Sequence, residues 1–431
     1  MEDLLGTAGE ARKQGHDIHR YAENVLSILL VLALSGFSLS LYLPFIRIQL
    51  FAHLSIFALL VWRYVLKSRP VGTIPLDVIL FSSLFFFTLL ASAIRSSNQP
   101  LAFYLFDNYK YFILGGLLFT APLSANYRRI VVVVLFTCAA VDGLAGILQF
   151  YGILSNNSAR PHGFAVLPTI YAARLVFIPA TALMLLMINK AAAPLSRPWT
   201  AFLIVIAVLT AGGILLSGGR GTWIALASAC TITFWFFNRK KALLFFLCFM
   251  ILLGGALMYS GFLRERVVLT ITSLRAVPDG QVLNATQSRF ELWKGSLLIF
   301  EEHPLFGVGD GNFKNNIERL ILEKKLREPD TNFHAHNIFF QLLATQGILG
   351  FVVFLGLLIA LIRWGLREVR ERGGAGGYII ILCTLLMIVG GLTDTVIGMP
   401  RYVPIFFLIV GLLGPYELRN QPVTAPTDSH Q

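Results

Sequence analysis

Apolar runs of about twenty residues, separated by short polar stretches, recur along almost the whole chain and leave it few ways to fold. Each run is long enough to cross the roughly 30 Å hydrocarbon core of a bilayer. Inside hydrocarbon, an open-chain segment satisfies its own backbone only as a helix. Of the 431 residues 56% are hydrophobic and 13% charged, whereas a soluble domain carries about a quarter charged. A soluble enzyme, a secreted disulfide scaffold and a disordered chain are excluded. Cys138, Cys230, Cys248 and Cys383 all lie inside apolar runs with no metal-type spacing. The first twenty residues are polar and carry no signal-peptide pattern, so the first span is expected to anchor the N-terminus on the synthesis side.

Hydropathy predicts twelve spans: Tyr21–Pro44, Ile48–Tyr64, Pro75–Ile94, Tyr109–Pro122, Ile130–Gly152, Pro168–Ile188, Thr200–Ser217, Thr222–Phe237, Ala242–Phe262, Asn337–Ile362, Gly377–Val396 and Tyr402–Pro415. None is visibly broken at its middle. The predicted fold is an all-α polytopic membrane protein, a bundle of about twelve transmembrane helices with one large, partly helical outer loop. Loops on one side collect Arg12, Lys13, Arg20, Arg63, Lys67, Arg69, Arg128, Arg129, Lys190 and Arg197. They continue with Arg239, Lys240, Lys241, Arg363, Arg367, Arg370, Arg372 and Arg419. The positive-inside rule makes that side cytoplasmic, with both termini on it. Residues 1–262 then form spans one to nine, 263–335 an outer cap, 336–418 spans ten to twelve, and 419–431 a cytoplasmic tail. Within the cap, Gln287–Glu302 is predicted as an amphipathic helix with Phe290, Trp293, Leu297 and Phe300 on its one apolar face. Asn312–Arg327 is predicted as a second, with Phe313, Ile317, Leu320 and Ile321 inward.

The outer short loops and spans carry Arg47, Arg95, Lys110, Arg160, Arg174, Arg220 and Arg401 against Asp107, Asp142 and Asp394. Topology disfavours that excess, so each arginine either meets a lipid phosphate or serves an anionic ligand. Ser217-Gly-Gly-Arg-Gly221 is the sharpest feature, because glycine lets a bulky group approach the main chain and the arginine fork suits phosphate oxygens. His334-Ala-His-Asn337 opens the tenth span. A histidine there is poised for proton transfer, on the plainer reading Asn337 or a histidine caps free helix amides, and no Glu, Cys or third His stands at zinc spacing. Arg160-Pro-His-Gly-Phe164 and Arg289 complete the set. Asp142 and Arg174, about 10–15 Å below the outer surface at 1.5 Å per residue, read as a neutralising pair between adjacent helices. Asp394 either orients a catalytic group or pairs with Arg401. Gly307-Val-Gly-Asp-Gly311 follows no strand and lacks the P-loop lysine; it reads as a turn.

The Ser-Gly-Gly-Arg-Gly hairpin is followed in order by Arg289 and Trp293, Pro304-Leu-Phe-Gly-Val-Gly, His336-Asn337, Gly347 and Gly350. This ordered set resembles the O-antigen ligase and polymerase superfamily from about Arg160 to Gly350. The pattern departs at Pro168-Thr169, where the family has Pro-Asn. The resemblance implies a glycosyltransferase of the bacterial inner membrane with its site and cap in the periplasm. Its donor would be an O-antigen on undecaprenyl diphosphate and its acceptor lipid A–core, with membrane lipids as further partners, no nucleic acid, and no metal, ATP or other cofactor. His336 is implied as general base and Arg220 as the group that meets the departing diphosphate. Arg160, Arg289 and Arg95 are assigned to substrate binding, with His334 and Asp394 as supporting groups. Attack opposite the diphosphate would invert the anomeric centre. One large late loop favours the ligase branch over the polymerase branch, and a secondary transporter is the alternative from another class.

Overall fold

The computed structural model describes residues 2–43, 48–66, 73–155, 160–165, 167–192, 196–272, 283–329, 334–372, 375–395 and 401–414. Arg47, Lys67, Arg69, Arg419 and the 419–431 tail lie outside them, as do the side chains of Arg12, Lys13, Arg20, Lys190 and Arg372. The helices are α1 (Glu2–Tyr42), α2 (Ile48–Leu60, continued as π-helix to Val65), α3 (Leu76–Arg95), α4 (Gln99–Asp107), α5 (Lys110–Thr120) and α6 (Ala125–Phe150). They continue with α7 (Pro168–Leu175), α8 (Phe177–Ala192), α9 (Arg197–Leu216), α10 (Arg220–Phe237), α11 (Arg239–Tyr259) and α12 (Gly261–Thr272). The last are α13 (Ala285–Glu302), α14 (Phe313–Leu322), α15 (Ile338–Arg372), α16 (Ala375–Thr393) and α17 (Tyr402–Leu413).

Each of the twelve expected spans has its helix, and the chain is a polytopic membrane protein. Among the described residues eight candidate spans meet the length and hydropathy of a membrane crossing, with α7 and α8 together forming one; the continuous α2, α5 and α17 are shorter apolar helices, and α10 falls in neither group. The sixth span divides after Leu175, because Pro179 has no N–H to give that carbonyl. Val176 keeps helical angles (φ −57°, ψ −33°), so this span is interrupted and not unwound. Every residue of α17 is buried, which makes the short last helix the axis of the bundle. By contrast, α11 turns most of its surface outward, as an apolar helix facing lipid does. Helices α4 and α12 are additions to the predicted order.

Two expectations about the cap are corrected. The inward face of α13 is Ser288, Leu292, Gly295, Ser296 and Ile299, while Phe290 and Leu297 are more than two-fifths exposed. Small residues win the interior because α13 packs close. A Cβ at Gly295 would stand 2.5 Å from Ile317 and 2.8 Å from Leu326. The second cap helix stops at Leu322, short of Arg327, although Phe313, Ile317 and Leu320 are buried as expected.

The tenth span is the third correction. It is broken at Gly347, whose φ of 68° and ψ of −164° lie outside any helix and in a region open essentially to glycine alone. The turn expected over 303–311 fills the break. Val308 and Gly309 N–H donate to the Ala344 and Thr345 carbonyls (3.0 and 2.8 Å), and Ile348 N–H donates to Pro304 (2.8 Å). Inside the joint, the buried Asp310 accepts from Gln346 Nε2 (3.0 Å), and its N–H donates to Ser92 Oγ (2.7 Å). The broken backbone is thus satisfied by protein, the condition under which non-helical chain persists at membrane depth.

Candidate functional site

The site assembles from three segments that α6, α9–α10 and α15–α16 bring to one end of the bundle. The first is the 160–165 loop. Gln149, two turns beyond Asp142 on α6, accepts from the His162 and Gly163 N–H groups (3.0 and 2.9 Å) and donates to the Gly163 carbonyl (2.9 Å). Asp142 accepts from Phe164 N–H (2.8 Å) while holding Arg174 through two bonds of 2.9 and 2.6 Å. The Asp142–Arg174 pair read from the sequence therefore exists, and it also fastens this loop. So held, Arg160 donates from Nε to the Ser217 carbonyl (2.8 Å).

Ser217–Gly221 is the second segment, a tight turn between α9 and α10. Gly218 carries a φ of +68°, and a Cβ there would press on Phe262 at 3.2 Å and approach Arg160 Nε at 3.5 Å. Arg220 is the first residue of α10 and is half-buried, where the helix dipole adds to its positive field. A Cβ at Gly221 would stand 2.4 Å from Thr393 Oγ1, so α10 starts directly against the end of α16, one residue before Asp394.

Asp394 belongs to the third segment. Its Oδ1 lies 3.3 Å from His336 Nδ1 and 3.4 Å from His334 Nε2, and accepts from Thr395 N–H at 2.8 Å. Burial pushes this carboxyl up, but the bonds and charges of the two histidines outweigh it and hold it well below the usual carboxylate range. Asp394 thus orients the histidines, and Arg401 turns instead to the Leu41 carbonyl (3.3 Å). His336 sits in the left-handed region at φ +50°, an uncommon place for a side-chain-bearing residue that is over-represented at functional sites. Asn337 fixes the strained turn. It caps α15 by accepting from Phe339 and Phe340 N–H (2.9 and 3.3 Å) and donates to the Leu392 carbonyl (3.0 Å). With Nδ1–H donated to Asp394, the other ring nitrogen of His336 carries the lone pair a base needs.

Trp293 donates Nε1–H to the Ala335 carbonyl between the two histidines (3.0 Å) and stacks on Phe340. One turn earlier on the same helix face stands Arg289, with no hydrogen bond or ion pair among the described residues. Arg95 is placed elsewhere. It donates to the Gly307 carbonyl (3.3 Å) and lies over the Phe306 ring, at the Gly347 joint rather than at the histidines. An apolar cavity of about 200 Å³ between α3, α5, α15 and α17, lined by Ile79, Phe112 and Trp364 among others, is distinct from this site. Sequence reasoning missed Gln149, whose signal was a polar residue seven positions after Asp142 in an apolar run. It also missed Asp310, hidden inside turn material.

The Ser217–Gly221 turn and the two histidines lie in a stretch that resembles known proteins. Residues 205–355 match the O-antigen ligase family. The match runs from α9 into α15 and contains Arg220, Arg289, His334 and His336; the resemblance carried by the motifs is borne out there. Arg95, Arg160 and Asp394 lie outside it. An uncharacterized protein of Haemophilus influenzae is 22% identical over 176 residues, which is 39% of this chain and 43% of that protein. The chain therefore spans less than half the length of that relative.

Proposed function

We propose that the chain moves O-antigen polysaccharide from undecaprenyl diphosphate to a hydroxyl of lipid A–core, at the periplasmic face of the bacterial inner membrane and with inversion. The O-antigen ligase match supports the reaction class, a lipid-linked glycosyltransferase. The observation that carries the reading is the seating of the Arg160–Arg220 hairpin against the end of α16, beside His336 on Asp394. Cleaving a sugar–diphosphate bond builds negative charge on the leaving oxygens, which fixed positive groups stabilise most when placed beforehand. Arg220 and Arg160 take that role, and Arg289, one turn before Trp293 on α13, is assigned to binding the substrate. His336 accepts the proton of the attacking hydroxyl. Neither step uses ATP or a metal ion.

The test is transfer in proteoliposomes holding purified protein, undecaprenyl-diphosphate glycan and lipid A–core, in EDTA and without ATP. Wild-type protein is expected to glycosylate the core, and folded His336→Ala and Arg220→Ala variants to lose at least about a hundredfold in rate. Donor that lengthens without core would identify a polymerase. A folded wild-type protein that transfers nothing would overturn the glycosyltransferase reading, and a folded, active His336→Ala would overturn the assignment of the base.

A further inference from the structure

We propose that His334, His336 and Asp394 form a binding site for a transition-metal dication of the zinc type, and that occupancy of this site switches the glycosyl transfer off. The second half of the proposal rests on His336 acting as the base; the first does not. One nitrogen of each histidine faces the same carboxylate oxygen, at 3.4 Å from His334 Nε2 and 3.3 Å from His336 Nδ1. All three donor atoms lie within 4.8 Å of one another. Zinc–nitrogen and zinc–oxygen bonds of about 2.0–2.1 Å in a tetrahedron set their donor atoms about 3.3–3.4 Å apart. A dication seated between these atoms replaces the protons that the histidines otherwise direct at Asp394. The side chains are 38%, 19% and 13% exposed, so an ion can reach them, and the fourth position falls to water. Two imidazoles with one carboxylate select zinc, cobalt or nickel over magnesium and calcium, which prefer all-oxygen sites.

The consequence for catalysis follows from the imidazole ring. A neutral histidine has one N–H and one lone pair. While His336 Nδ1 carries its proton toward Asp394, Nε2 is free to accept a proton from an attacking hydroxyl. Once Nδ1 ligates a metal, the neutral ring keeps its proton on Nε2 and has no lone pair left. Metal binding and base function are therefore mutually exclusive at this residue. His334, outside the His-Asn pair of the motif, supplies the ligand that turns a histidine–aspartate couple into a metal site.

The probe is zinc chloride, titrated into the tag-free full-length protein in lipid nanodiscs, by calorimetry and against a chromophoric zinc indicator. One zinc per chain is expected, unaffected by millimolar magnesium. Affinity should fall at least about tenfold in His334→Ala and in Asp394→Asn, and stay unchanged in His303→Ala, a histidine remote from the cluster. His334→Asn serves where the alanine variant does not fold. Absence of stoichiometric zinc, or unchanged affinity in both the His334 and Asp394 variants, overturns the site. In the transfer assay, stoichiometric zinc should abolish activity and EDTA restore it. Zinc that binds at the cluster while transfer continues overturns the switch. A chain that never transfers fails the ligase reading and leaves the titration result intact.

Discussion

Removing one half of the Asp142–Arg174 pair should be the most destabilising single change in the membrane bundle. The side chains are 0% and 1% exposed and joined by two hydrogen bonds. Deleting one member of such a pair costs about 3–5 kcal/mol, since the other charge stays buried. Arg174→Met leaves a carboxylate that still accepts from Phe164 N–H and belongs near the lower figure. Asp142→Ala strands a guanidinium and the Phe164 amide together and belongs near the upper one. These losses are between two and four powers of ten in the folding equilibrium, at about 1.4 kcal/mol per tenfold. The pair is not itself optimal, because Arg174 Nη1 is buried without a hydrogen-bond partner. Asp142→Leu with Arg174→Met should therefore be less harmful than either single change, losing about 1–3 kcal/mol for the unmet Phe164 amide. Circular dichroism during SDS titration of protein in dodecylmaltoside micelles measures all three. Single variants within 1 kcal/mol of wild type, or a double variant costing the sum of the singles, would refute the reasoning.

Gly347→Ala should lower stability by at least about 2 kcal/mol from backbone strain. Its Cβ would also sit 2.5 Å from the Leu305 carbonyl, and the same SDS titration reads the loss. Burial raises the pKa of Asp310, against the hydrogen bonds from Thr345, Ser92 and Gln346. A carboxyl with a raised folded pKa contributes stability below its ordinary value of about 3.9 that is lost as pH rises through the folded value. Asp310→Asn should flatten the pH dependence of melting above about pH 4 and leave the protein no less stable at pH 7. Asp394, held low, has the opposite sign, with stability present above the ordinary carboxylate value and lost in stronger acid; Asp394→Asn should remove that acid-side loss in the same melts. Arg160→Lys should slow transfer by tenfold or more while melting within a few degrees of wild type, since an ammonium cannot reproduce the guanidinium fork.

The spans were legible because hydrocarbon admits few alternatives, and the Asp142–Arg174 pair because two charges in adjacent apolar runs have little else to meet. The face of α13 was misread for an instructive reason. Phe290, Trp293, Leu297 and Phe300 form an apolar stripe at helical spacing, yet close approach of α13 to Ile317 and Leu326 demands Gly295 and Ser296 inside. Periodicity weighs side-chain size and cannot weigh interhelical distance. The hairpin and His336 were visible as motifs, whereas the choice of Asp394 between His336 and Arg401 depends on how α16 and α15 pack, which no local pattern encodes. The break at Gly347 had no local signal, since its cause is a turn some forty residues earlier. Arg95 was drawn into the candidate set by its charge and proved to serve that turn.

The joint at Gly347 also orders how the chain is made. The Ile348 and Leu349 amides find their acceptors on Pro304 and Leu305, residues synthesised before them, so those carbonyls already exist when the tenth span enters the bilayer. A gene rearranged to encode the cap after α17 would insert that span with amides unmet in hydrocarbon, and quality-control proteolysis would reach it first.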